Sequence, residues 1–166
     1  GGISMSSLAS ITYTNGIKVG GSDNTDSDAV KKLREKGIEV FIGHSADNVK
    51  GYEVVVYTAA IAADNPELVF ARENGIPCIN RADYLGYLMI SYSHRIGVAG
   101  MHGKSSVTGM ISHIFIEANC DPTVLNGANT YELGGGAYRI GNGKGFIFEA
   151  CEYQNSFHCF YLTIQP

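Results

Sequence analysis

The run from Arg95 to Asn119 constrains the fold more than any other stretch. Residues Arg95 to Ala99 read as a strand. They lead into Gly100-Met101-His102-Gly103-Lys104-Ser105-Ser106, and a long helical pattern then runs from Lys104 to Asn119. A strand, a glycine loop and a helix in that order belong to α/β architecture. Gly100 and Gly103 allow the backbone to turn so that its N–H groups face one point, and the helix N-terminus adds partial positive charge there. That arrangement suits phosphate. Lys104 is placed to reach the β- and γ-phosphates of a nucleotide, and the Ser105 hydroxyl to ligate Mg2+. The spacing departs from the strict GxxxxGK[ST] pattern, because Val98 stands five residues before Gly103. In the helix, Val107, Met110, Ile111, Ile114, Phe115 and Ala118 recur at helical spacing and predict a core-facing stripe.

The same alternation runs through the rest of the chain. Lys18 to Ser22, Ile38 to Ile42, Glu53 to Tyr57, Ile76 to Ile79, Pro122 to Leu125 and Gly145 to Ala150 read as strands. Val54-Val55-Val56 has the continuous apolar character of a strand buried on both faces. Helices are predicted over Asp28 to Lys36, from Asn65-Pro66-Glu67 to Gly75, and over Arg81 to Tyr92. Strands separated by helices imply parallel sheets with right-handed crossovers. A boundary is expected near Tyr92-Ser93, giving units of 1–92 and 93–166. The chain opens on a strand-to-helix turn with no strand before it and closes in a run that reads as another strand.

Composition narrows the function classes. The 166 residues suffice for one domain or two small ones. A net charge of -4 with no basic block lacks the footprint of a nucleic-acid-binding protein. No apolar run approaches the ~20 residues of a membrane span, and no signal peptide is visible. Cys78, Cys120, Cys151 and Cys159 form no CxxC pair, which predicts free thiols in a cytoplasmic protein.

Two further patterns carry chemistry. Phe146-Ile147-Phe148-Glu149-Ala150-Cys151-Glu152 is an apolar strand ending in acids. In open α/β sheets ligands sit beyond the carboxyl ends of strands, so Glu149 beside a phosphate loop is suited to Mg2+. Gly1-Gly2-Ile3-Ser4-Met5 opens a helix, and Ser22-Asp23 follows a strand some twenty residues later. That pattern is of dinucleotide-binding type, with the acid on a ribose hydroxyl, although the third glycine of GxGxxG is not met. A nicotinamide-dependent oxidoreductase would leave Gly-Lys-Ser unexplained.

Together these residues resemble the Mur ligase family. Gly100-Met101-His102-Gly103-Lys104-Ser105 is similar to its G-T-H-G-K-[ST] loop, and Glu149-Ala150-Cys151-Glu152 to its E-A-x-E segment. Gly2-Ile3-Ser4-Met5-Ser6-Ser7-Leu8-Ala9 is similar to the G-I-G-M-S-G-L-A turn of the UDP-muramate ligases. Gly21-Ser22-Asp23, Thr58-Ala59-Ala60-Ile61, Asn65-Pro66-Glu67 and Asn80-Arg81-Ala82 resemble further stations in the same order. Met101 stands where the family has Thr, and Cys151 where it has Asp.

The resemblance implies a Rossmann-like parallel-sheet domain that binds UDP-N-acetylmuramate, followed by the first part of a P-loop-type ATP-binding α/β domain. It implies ATP and Mg2+ as cofactors and L-alanine as co-substrate, joined through an acyl phosphate. A sibling that recycles muramyl peptides and a binding module without catalysis remain open. By the resemblance, Gly2, Ser4, Met5, Ser22, Asp23, Ala60 and Arg81 contact the UDP-sugar. Gly100, Met101, His102, Gly103, Lys104, Ser105 and Ser106 contact ATP. Lys104 and Glu149 serve catalysis, and Ser105 and Glu149 hold the metal. The chain lacks the remainder of the central domain and the amino-acid domain, so turnover by the chain alone is not expected.

Overall fold

A computed structural model describes residues 2–150. The elements are α1 (Ile3–Thr14), β1 (Gly20–Asp23), α2 (Asp28–Glu35), β2 (Glu39–Ile42), β3 (Val55–Tyr57), α3 (Pro66–Glu73), β4 (Cys78–Asn80), α4 (Arg81–Met89), β5 (His94–Val98), α5 (Lys104–Glu117), β6 (Thr123–Thr130), β7 (Gly136–Arg139) and β8 (Gly145–Glu149). Short 3-10 turns cover Ala46–Val49 and Tyr131–Leu133. The chain divides into two compact units, Gly1–Tyr84 and Leu85–Pro166, and the division falls within α4. Cys151-Glu152, Cys159 and the closing strand-like run lie outside the described residues. Among the described residues no helix is long and apolar enough to cross a membrane.

The first unit is α/β, with its strands paired in parallel. β1 pairs with β2, and β3 pairs with β4. The two pairs are not hydrogen-bonded to each other. α2 forms because its ends are capped and one face is apolar. Ser27 accepts from the Val30 N–H at 3.4 Å, Asp28 lies in the first turn, and Lys32 and Arg34 in the last. Gly37 then turns the chain at φ +89°, a left-handed position that favours glycine. Val30 and Leu33 of α2 pack with Ile38 and Val40, and Ala9 and Val19 close the cluster. Asn65 caps α3, accepting from the N–H groups of Glu67 and Leu68, and Pro66 takes the first helical position. This cap fixes Glu67 in the first turn.

Three expectations fail in detail. Val54-Val55-Val56 is not a strand buried on both faces: β3 is half-buried throughout, and Val54 is 37% exposed. The reason is that β3 has a single hydrogen-bonded neighbour, β4, while its other side lines a cavity.

The second failure concerns α5. The buried residues of this helix are Thr108, Gly109 and Ser112, whereas Val107, Met110 and Ile114 are 39%, 55% and 63% exposed. Ala118 is also exposed, and Ile111 and Phe115 are half-buried. Close approach selects the small face. A Cβ on Gly109 would lie 3.3 Å from Glu132 Oε2, so a side chain there would have to displace the Glu132 carboxylate. Ser112 satisfies its own hydroxyl by donating to the Thr108 carbonyl at 2.6 Å.

The second unit has a four-stranded sheet in the order β5-β8-β6-β7. β5–β8 and β8–β6 are parallel, but β6–β7 is antiparallel. The all-parallel expectation therefore needs correction at this edge, and β7 was not anticipated. Only residues 131–135 separate β6 from β7, too few for a crossover, so the chain folds back as a hairpin. Gly134 and Gly135 carry the reversal at φ +67° and +79°. The central strand β8 buries Phe146, Ile147 and Phe148 completely. The Tyr92 ring tilts against Phe146 at 4.9 Å between centroids.

Candidate functional site

In the first unit a cavity of about 670 Å³ opens at the N-terminus of α1 and the carboxyl ends of the strands. Gly2, the helix N-cap, is extended and offers no side-chain cap to the first turn. The uncapped N–H groups and helix dipole there favour an anion. Arg81, at the start of α4, donates from Nη1 to Ser4 Oγ at 3.0 Å, which brings a guanidinium to the same helix end. Gly2, Ser4, Met5, Ser22, Asp23, Ala60 and Arg81, separated by up to 79 positions in the chain, all line this one cavity. Asp23 ends β1 and accepts from the Thr25 N–H at 2.8 Å. Ala60 lies exposed in the turn after β3.

Sequence reasoning missed part of the wall. His44, Asn48 and Glu67 line the cavity with Ser22. Glu67 accepts from Ser22 Oγ at 2.7 Å and from Asn48 Nδ2 at 2.8 Å, and His44 Nδ1 lies 3.2 Å from its Oε2. The signals were present. His44 follows Gly43 at the carboxyl end of β2, and Asn65-Pro66 marks Glu67 as a first-turn residue. Tyr52 also faces the cavity; burial, with Glu39 nearby, holds its phenol above the usual range.

In the second unit the glycine loop leaves β5 beside the end of β8, because Val98 pairs with Glu149. Gly100 and Gly103 take φ +149° and +74°, conformations that favour glycine. Gly103 caps α5 without a side chain, again leaving the first turn open to an anion. Lys104 Nζ donates to the Gly100 carbonyl at 2.7 Å, so the ammonium folds back over the loop. Met101, His102 and Ser106 are exposed on it.

Ser105 Oγ donates to Glu149 Oε2 at 2.6 Å. The Gly127 N–H donates to the same oxygen at 3.0 Å, and Asn126 Nδ2 donates to the Ser105 carbonyl at 3.2 Å. A side chain at Gly127 would collide with the Glu149 carboxylate. A hydroxyl and a carboxylate in contact form an all-oxygen donor pair. That fits Mg2+, which takes one or two protein ligands and completes its shell with water and phosphate. No cluster of three or more His, Cys, Asp or Glu that could hold a metal occurs among the described residues.

A family model described as Mur ligase family, catalytic domain, matches residues 1–93. The chain belongs to the Mur ligase family. Among Mur ligases, the UDP-N-acetylmuramate--L-alanine ligase of Clostridium botulinum (strain Eklund 17B / Type B) is 48% identical over 161 residues, covering 97% of this chain and 35% of that protein. The corresponding ligase of Clostridium novyi (strain NT) is 49% identical over 164 residues, 99% of this chain and 36% of that one.

Two crystal structures are similar. UDP-N-acetylmuramate-alanine ligase from Thermotoga maritima superposes with a TM-score of 0.82 at 36% identity, covering 90% of this chain and 35% of that one. UDP-N-acetylmuramate:L-alanyl-gamma-D-glutamyl-meso-diaminopimelate ligase from Neisseria meningitides gives 0.79 at 27%, covering 93% and 51%. The chain thus spans about a third of the length of the curated Mur ligases it matches.

Proposed function

We propose that this chain carries the substrate-binding part, and the first portion of the ATP-binding part, of a cytoplasmic ligase that joins L-alanine to UDP-N-acetylmuramate. Residues 1–92 hold the UDP-sugar and residues 93–166 contribute the ATP loop. The observation that carries this reading is the convergence of Gly2, Ser4, Met5, Ser22, Asp23, Ala60 and Arg81 on one cavity at an uncapped helix N-terminus. A diphosphate is the ligand such a mouth suits, with Arg81 neutralising charge and Asp23 placed to accept from a sugar hydroxyl.

Lys104 holds the phosphates of ATP, assisted by the loop from Gly100 to Ser106. Ser105 and Glu149 hold Mg2+, which supplies charge neutralisation on the phosphoryl oxygens when bound. In the ligation a carboxylate oxygen of the sugar substrate attacks the γ-phosphorus and ADP leaves. The amine of L-alanine then displaces inorganic phosphate from the acyl phosphate and gives the amide. The residues of this chain position the reactants and stabilise charge at these steps.

The second reading is the peptide-recycling sibling, favoured by similarity to the Neisseria protein. The higher identity to the L-alanine ligases places it second. Calorimetric titration with UDP-N-acetylmuramate, with NADH as control, tests the site. Saturable binding of the UDP-sugar alone is expected. A folded chain that binds neither, or that prefers NADH, overturns the reading. A chain spanning about a third of such a ligase is expected to bind without turning over, and ADP release dependent on both substrates would contradict that.

A further inference from the structure

Behind the Ser105–Glu149 pair stands a buried amide that the ligation steps leave unused. Asn126 lies on β6, one position past Leu125. Pairing of β6 with β8 ends at Leu125–Phe148, and the register of β6 with β7 shifts between Leu125 and Thr130. Asn and Gly are poor strand residues, so Asn126-Gly127 is a local departure from the strand it belongs to. Asn126 is nevertheless only 2% exposed. A buried amide costs free energy unless its polar atoms are bonded.

The two ends of this amide are bonded to opposite sides of the site. Nδ2 donates to the Ser105 carbonyl at 3.2 Å, and Oδ1 accepts from the Gly127 N–H at 3.0 Å. The same N–H also donates to Glu149 Oε2 at 3.0 Å. Ser105 lies in the first turn of α5, where a helix carbonyl spends one lone pair on the ladder and keeps a second. Asn126 takes that second lone pair. One side chain thus fixes the backbone that carries the Ser105 hydroxyl and the turn whose N–H holds the Glu149 carboxylate.

A cation makes this bracing matter. Ser105 Oγ and Glu149 Oε2 are joined directly at 2.6 Å. A cation that takes both oxygens competes with that bond, which then no longer sets their spacing. The bonds from Asn126 and Gly127 lie on the backbone side of the pair and do not compete with it. A Cβ on Gly127 would collide with the Glu149 carboxylate, so the amide reaches Oε2 only because the residue is glycine.

We propose that Asn126 is a positioning residue for the metal pair, coupling the Ser105 end to the Glu149 end through Gly127 and fixing a spacing that suits a small octahedral cation. This rests on Ser105 and Glu149 being the Mg2+ ligands. Mg2+ demands near-ideal geometry, whereas Ca2+ accepts larger and irregular shells. Loosening the pair therefore weakens Mg2+ more than Ca2+.

Titrating the chain with ATP without metal, with Mg2+ and with Ca2+ tests the idea. In the wild-type chain Mg2+ is expected to raise ATP affinity, and to raise it more than Ca2+ does. Asn126→Ala should leave metal-free ATP affinity within about twofold and cut the Mg2+ gain by about three- to tenfold, the size of one or two lost hydrogen bonds. The Ca2+ gain should change less. Gly127 is exposed and has no left-handed φ, so Gly127→Ala strains no backbone. It should push Glu149 aside and narrow the Mg2+ preference in the same way, and it decides alone if Asn126→Ala does not fold. A merely structural role would weaken ATP alike with and without metal and leave the ratio of the two gains unchanged. That unchanged ratio in either folded variant overturns the inference and leaves the metal pair standing, as does a wild-type gain no larger with Mg2+ than with Ca2+. ATP binding by the wild-type chain with no metal-dependent gain at all overturns both.

Discussion

The two units use the same device at their sites and surround it differently. Each aims an uncapped helix N-terminus, led in by glycine, toward the carboxyl ends of parallel strands. In the second unit that helix leaves a continuous four-stranded sheet whose inner strand, β8, buries Phe146, Ile147 and Phe148 completely. In the first unit the strands stand as two separate pairs, and the cavity reaches β1 and β3 together. The second site is accordingly built from near neighbours: loop, helix turn and strand end, with Lys104 and Glu149 tied to the loop and first turn. The first is assembled from distant elements, and side chains hold it together: Arg81 to Ser4, and Glu67 to Ser22 of β1, His44 after β2 and Asn48 of the 3-10 turn. The second site thus follows from elements that are consecutive or paired in one sheet, whereas the first depends on side chains that link separate elements.

That difference has measurable consequences, the largest in the cores. Phe148→Ala removes a side chain with no exposure from the centre of the continuous sheet and is expected to cost about 3–5 kcal/mol. Leu33→Ala, in the small cluster beside β1 and β2, is expected to cost about 2–3 kcal/mol. Hydrogen exchange read separately over the two units checks this. The wild-type amides of β8 should outlast those of β1 and β3, and slower exchange in the first unit would break the comparison.

Ligand effects come next. Lys104→Ala is expected to lower ATP affinity by roughly tenfold to a hundredfold, the value of hydrogen bonds to a charged group, without unfolding the chain. Unchanged affinity in calorimetry, with an unchanged circular dichroism spectrum, would remove the phosphate-loop assignment. Arg81→Ala is expected to weaken UDP by about tenfold, because Arg81 both faces the anion end and steadies Ser4. Arg81→Lys should recover only part of the loss, since a point charge replaces a planar fork. Full recovery would mean that charge alone matters there, and that the side-chain network is not what orders the first site.

How much could be read from the chain follows the same division. The glycine loop, Lys104, Ser105 and Glu149 were legible because strand, loop and helix are consecutive and their contacts follow from topology. The helix caps at Asn65-Pro66 and the turn at Gly37 were legible for the same local reason. His44 and Asn48 were not, since their role depends on Glu67 arriving from another element. The face of α5 was misread because apolar periodicity assumes that bulk faces the core, whereas the buried face of this helix carries the small residues Thr108, Gly109 and Ser112. The β6–β7 hairpin was missed because Tyr131-Glu132-Leu133-Gly134-Gly135 carries no alternating pattern, and the positive φ values of Gly134 and Gly135 become visible only in three dimensions.

That hairpin edge gives the smallest expected effect, and one with a definite sign. Asp121 accepts from the Asn142 N–H at 2.8 Å and from Arg139 Nη2 at 2.5 Å, tying the start of β6 to the end of β7. The Asn142 backbone N–H first, and then Arg139, hold its carboxyl below the ordinary value of 3.8. A carboxylate whose folded value is depressed contributes stability above the unfolded value, and that contribution disappears as pH falls through the folded one. Asp121→Asn should therefore be slightly less stable than wild type at neutral pH, with the difference closing as acid protonates Asp121. Urea titrations of both proteins across the acid range check this. A difference that persists in acid would mean that the loop is held by shape and backbone, as the rest of the second unit is, and not by this charge.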